Sequence, residues 1–66
     1  MLSITINQLP FELPADSTLQ DAVDLFGAKP PFAAALNLNF VPKTMYAKTP
    51  LKNSDQIELI SPITGG

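Results

Sequence analysis

Sixty-six residues with 45% apolar content make room for one small domain and no second. The chain has no Cys and no His, which excludes disulfide staples, thiol or imidazole catalysis and a Ser-His-Asp arrangement, so the fold rests on its apolar core alone. Four Lys, no Arg and six carboxylates leave a net charge of −2, without the basic footprint that nucleic acid demands.

The chain begins with alternation. Leu2, Ile4 and Ile6 alternate with Ser3, Thr5 and Asn7, the period of a half-buried strand. This start is a strand pattern and not a charged signal leader, and no apolar run approaches the length of a membrane span. A cytoplasmic protein with no membrane partner is expected. Asn7-Gln8 reads as a turn, and Phe11-Glu12-Leu13 as a short returning strand. Pro10 and Pro14 bracket that strand, which suits a sheet edge because Pro cannot donate to a ladder.

Ala15-Asp16-Ser17 reads as a helix entry. Ser17 and Gln20 form a capping-box pattern, with Asp16 as a competing N-cap. Leu19, Ala22, Val23 and Phe26 then fall at i, i+3, i+4 and i+7, a single apolar face that covers a sheet. Gly27 is placed to end the helix in a left-handed conformation, and Pro30-Pro31 prevent its continuation.

Phe32 to Asn37 is alanine-rich and ambiguous by propensity alone. The prolines before it and the Asn37-Leu38-Asn39 turn after it favour a strand, with Phe40-Val41-Pro42 returning antiparallel. Lys43 to Pro50 is a polar connection with room for one helical turn and a buried Met45-Tyr46 pair. Asn53-Ser54-Asp55 is a turn signal, and Gln56 to Ile60 a final strand with Ile57 and Leu59 on one face. The expected class is α+β, a mixed sheet of four to five strands covered on one face by one main helix. If the last strand lies parallel beside the first, the arrangement is the β-grasp. Residues 1–60 form that domain and residues 61–66 a flexible tail.

The tail, Ser61-Pro62-Ile63-Thr64-Gly65-Gly66, ends in a Gly-Gly carboxylate. Two glycines in succession form a thin strand that can enter a narrow channel in another protein. A carboxylate is inert until activated, for example as an acyl-adenylate; if sulfur then attacked, a thiocarboxylate would result. An ordinary frayed chain end is the competing reading. On either reading the acids fit helix caps and surfaces better than acid–base catalysis, so an independent enzyme is not expected.

Several segments together resemble a known family. They are Ala35-Leu36-Asn37, Phe40-Val41-Pro42-Lys43, Asp55-Gln56-Ile57-Glu58-Leu59 and the closing Pro62-Ile63-Thr64-Gly65-Gly66. The whole chain is similar to the ThiS-like sulfur carrier proteins of thiamine biosynthesis, within the ubiquitin-like β-grasp superfamily. Three positions depart from the family pattern: Lys43 stands for the usual Arg, Tyr46 for Trp, and Ser54 for Gly. Lys43 keeps a charge without the bidentate fork, and Ser54 either takes a conformation suited to Gly or alters the turn.

The resemblance implies that a ThiF-type, E1-like activating enzyme uses ATP to adenylate Gly66. A cysteine desulfurase system then supplies sulfur, and the thiocarboxylate donates it to a ThiG-type thiazole synthase. Gly65, Thr64 and Ile63 would enter the partner's active site, and the chain itself would be a monomer with no bound cofactor or metal. For docking, strand parity puts Glu58 and Ile60 opposite Ile57 and Leu59, with Phe40 beside them on the outer sheet face, and Lys43 joins the candidate set. Apolar residues there would mark an interface; completion of a very small core is the alternative. The molybdopterin synthase small subunit (MoaD-like), a ubiquitin-like protein modifier and a plain interaction module are the competing functions.

Overall fold

A computed structural model describes residues 1–61 of the chain. Strand β1, Leu2–Ile6, pairs antiparallel with β2, Leu9–Leu13, from Leu2↔Leu13 to Ile6↔Leu9. The turn between them is two residues long, with Asn7 at φ 51 and Gln8 at φ 71. That backbone twist matches the flanking strands, and Asn tolerates it better than most residues. Pro10 lies inside β2 and does not bracket it, so the strand is longer than its prolines suggested. The partner of Pro10 is Thr5, whose N–H donates to Asp55 O on the other side at 3.1 Å. The missing proline donor is therefore on the open edge of the sheet, as expected for an edge strand.

Helix α1, Leu19–Phe26, starts one residue later than the sequence pattern indicated. Thr18 is the N-cap, and its N–H donates to the Asp21 carboxylate at 2.8 Å. Ser17 fails as a cap because its backbone is engaged elsewhere: its N–H donates to Pro14 O and its carbonyl accepts from Leu51 N–H, both at 3.0 Å. Gln20 turns instead to Asp24, at 3.0 Å. Gly27 ends the helix at φ 78, its N–H donating to Val23 O and Asp24 O. An added Cβ there would meet nothing within 4 Å, so backbone conformation alone selects glycine.

The alanine-rich stretch is strand β3, Ala33–Leu36, joined to β4, Asn39–Val41, through Asn37 and Leu38 at φ 50 and 73. Pairing on both sides overrides the helix preference of alanine. A 3₁₀ helix follows at Lys43–Lys48. Only Tyr46 of the expected buried pair is inside; Met45 is 42% exposed. With three residues per turn, neighbours point about 120° apart and cannot share one face.

Strand β5, Gln56–Ile60, is the sheet's middle strand in the order β2-β1-β5-β3-β4. It runs parallel to β1, with Thr5↔Gln56 and Ile6↔Ile57, and antiparallel to β3, from Leu36↔Ile57 to Ala33↔Ile60. First and last strands therefore meet at the centre of a five-stranded mixed sheet under one α-helix, the β-grasp arrangement. The core joins Ile4, Ile6, Leu13, Ala34 and Ile57 of the sheet to Leu19, Ala22 and Val23 of α1, closed by Tyr46 and Leu51. Phe26 is half-buried at its rim, edge-on to Phe11 at 6.1 Å between centroids. Among the described residues, no helix is long and apolar enough to cross a membrane.

Candidate functional site: the outer sheet face and the end of the last strand

A period of two sends every second residue of each strand away from the helix. On the uncovered face this assembles Phe40, Ala35 and Glu58 as one cross-strand row, because Ala35 pairs with both Phe40 and Glu58. Ala33 and Ile60 form the neighbouring row. Phe40 is 72% exposed and Ile60 47% exposed, so neither completes the core. Ala35 is only 6% exposed although it stands outside the core cluster. Larger side chains flank this small residue from both adjacent strands.

The face is chemically divided. Its β1 side carries Ser3, Thr5 and Gln56, while the β3–β4 side carries Ala33, Ala35, Phe40 and Ile60, with exposed Leu38 at the hairpin tip. The apolar half thus adjoins the segment of β5 that leads toward the C-terminal residues. Glu58 borders a shallow polar depression with Thr5, Gln8 and Gln56. Lys43 is not part of this set: it opens the 3₁₀ helix and lines a groove with Val23, Asp24, Phe32 and Tyr46 on the helix side. In that groove the rings of Phe32 and Tyr46 stack at 6.1 Å. Gly66, Gly65, Thr64 and Ile63 lie outside the described residues.

Two asparagines from the hairpin turns hold the two ends of β5. Asn37 donates its backbone N–H to Gln56 O at 2.7 Å and accepts from Gln56 N–H through Oδ1 at 2.9 Å. Its Nδ2 donates to Asp55 Oδ1 at 3.0 Å. At the opposite end Asn7 donates its N–H to Ile57 O at 2.9 Å, then grips Leu59 with its carboxamide: Leu59 N–H donates to Oδ1 at 2.8 Å and Nδ2 donates to Leu59 O at 3.3 Å. Ser54 takes φ 73, the conformation a glycine would suit, and its N–H donates to Ser3 O at 2.7 Å. Among the described residues, no cluster of three or more Asp or Glu side chains is placed to hold a metal ion.

Comparison with known proteins gives a consistent picture. No curated protein matches the chain. The solved crystal structure of a thiamine biosynthesis protein (ThiS) from Geobacter metallireducens superposes with a TM-score of 0.80 over 98% of this chain and 100% of that one. At 16% identity, that likeness is one of fold. The ThiS family model matches residues 4–66, from within β1 through the helix and the remaining strands to the closing Gly-Gly; the chain belongs to the ThiS family.

Proposed function

We propose that this chain is a sulfur carrier of thiamine biosynthesis whose reactive group is the carboxylate of Gly66. A ThiF-type, E1-like enzyme joins that carboxylate to AMP from ATP and releases pyrophosphate. A persulfide of a cysteine desulfurase system displaces AMP to form an acyl disulfide, and a thiol reductant then breaks its S–S bond and releases the thiocarboxylate, which a ThiG-type thiazole synthase consumes. The observation that supports this reading is the ThiS family match, whose range extends to Gly66. The chain's own part is delivery. The chain has no Cys or His to act as nucleophile or base, and the division of labour gives activation to the partner and presentation to the carrier. Phe40 and Ile60, with Glu58 at the polar border, supply the docking surface on this reading, because exposed apolar residues next to the departing chain let one partner hold the domain and receive the tail together.

The test is intact mass after incubation with a ThiF-type enzyme, ATP and a sulfur source. One oxygen exchanged for one sulfur, localised to Gly66 and abolished by deleting Gly66, is the expected result. Failure to gain sulfur with partners competent on another carrier rejects the proposal, and a ladder of heavier covalent conjugates in cells indicates a protein modifier instead.

A further inference from the structure

We infer that Asn7 is a positioning residue that aims the C-terminal segment into the activating partner, an inference that rests on the carrier reading above. In a parallel pair, alternate residues of one strand each donate an N–H to the neighbour and accept one through their carbonyl. Here Thr5 N–H donates to Asp55 O and Asn7 N–H to Ile57 O. The next rungs would need the carbonyl of residue 7 to accept from Leu59 N–H, and the N–H of residue 9 to donate to Leu59 O. Neither is available, because Asn7 at φ 51 turns the chain back into β2.

The Asn7 side chain supplies both missing rungs. Its Oδ1 replaces the carbonyl and its Nδ2 replaces the amide, each on the atom of Leu59 that the ladder would have served. A carboxamide is the smallest side chain that presents one acceptor and one donor in a plane, as a peptide group does. Asp would lose the donor, and Ser lacks the reach and the planar pair. The consequence is that β5 remains held on its β1 side through Leu59 although β1 ends at Ile6. On its other side β3 holds it to Ile60. The end of β5, from which the chain continues toward Gly66, is thus held by two neighbours and not one.

Orientation matters because the reacting carboxylate lies only a few residues beyond Leu59. A fixed strand end narrows the volume its continuation can sample and so raises the frequency of productive entry into a partner's active site, while the docking of the outer face is unaffected. Loss of the clamp therefore lowers kcat at constant KM.

Asn7→Gly is the discriminating variant, since glycine keeps the positive-φ turn and removes only the carboxamide. Asn37→Gly is its control, taking the same side chain from the opposite end of the same strand. With a ThiF-type enzyme and ATP, pyrophosphate release is measured as each carrier's concentration is varied. Asn7→Gly is expected to lower kcat roughly tenfold with KM within about twofold, and Asn37→Gly to leave kcat unchanged. In the isolated protein, Asn7→Gly should speed hydrogen exchange at the Leu59 amide on the order of tenfold, while Asn37→Gly does so at Gln56. A wild-type kcat for Asn7→Gly, an equal fall in both variants, or an unchanged Leu59 amide overturns the assignment to Asn7. Absence of any pyrophosphate release from the wild-type carrier overturns the carrier reading itself, a separate and recognisable result.

Discussion

The two ends of β5 are built differently. At its start, Asp55 accepts from Lys52 N–H at 2.7 Å and from the Asn37 side chain, Asn53 Oδ1 accepts from Ser3 N–H at 2.8 Å, and Ser54 N–H reaches Ser3 O. The start of the strand is thus a network tying the loop before β5 to strand β1 and to the β3–β4 turn. At its end, a β3 neighbour and the single side chain of Asn7 do the holding. A network fixes a strand's register against slippage; a side-chain clamp prolongs the ladder past the end of the neighbouring strand. On the carrier reading proposed above, the start of β5 stays put while its end presents a segment to a partner.

The comparison can be broken most severely in the middle. Ile57 is fully buried between the two ends, and Ile57→Ala should cost about 4 kcal/mol, losing both ends together in a single denaturant transition. Next comes the network itself. Asp55 is buried, and Asp55→Ala leaves Lys52 N–H and the Asn37 amide without their acceptor. Roughly 2–3 kcal/mol of stability should disappear in urea titration, with amide exchange rising first around Gln56 and not around Leu59. Ser54→Gly sharpens the contrast from the other direction. Glycine relieves the φ of 73 while keeping the backbone donor to Ser3 O, so a gain of about 0.5 kcal/mol is expected from thermal unfolding. Smallest in stability is Phe40→Ser, which should change unfolding by less than about 0.5 kcal/mol because the ring is largely in water. Its effect belongs to docking: a higher KM for the activating enzyme with kcat retained is the expected signature, and an unchanged KM removes Phe40 from the interface.

Much of this architecture is legible in the residues, for a physical reason. Period-two alternation in Leu2–Ile6 and Gln56–Ile60, and the i, i+3, i+4 spacing of Leu19, Ala22 and Val23, are local consequences of which face is buried. The same parity places Phe40, Glu58 and Ile60 on the outer face. What could not be read was decided by distant partners. Ser17 loses the cap to Thr18 because Leu51 occupies its carbonyl, and Pro10 joins β2 because Thr5 is bonded elsewhere. Lys43 follows Phe40 closely in sequence yet lines the helix-side groove, since the 3₁₀ helix carries it around the sheet's end. The grip of Asn7 on Leu59 spans 52 positions, and nothing in the dipeptide Asn7-Gln8 announces it. Local chemistry marked the turn; only the β1–β5 register gave its side chain a task.

The central position of β5 has a consequence for how the protein comes into being. Without that strand the chain holds two separate pieces, the β1–β2 hairpin with its helix and the β3–β4 hairpin, with no ladder between them. The seam forms only when the last strand has been synthesised, which makes closure a non-local and late event. A ribosome that stalls before Gln56 therefore produces two exposed sheet edges and no finished domain, material suited to proteolysis. The strand that closes the fold is thus also the one that leads on to the segment bearing Gly66.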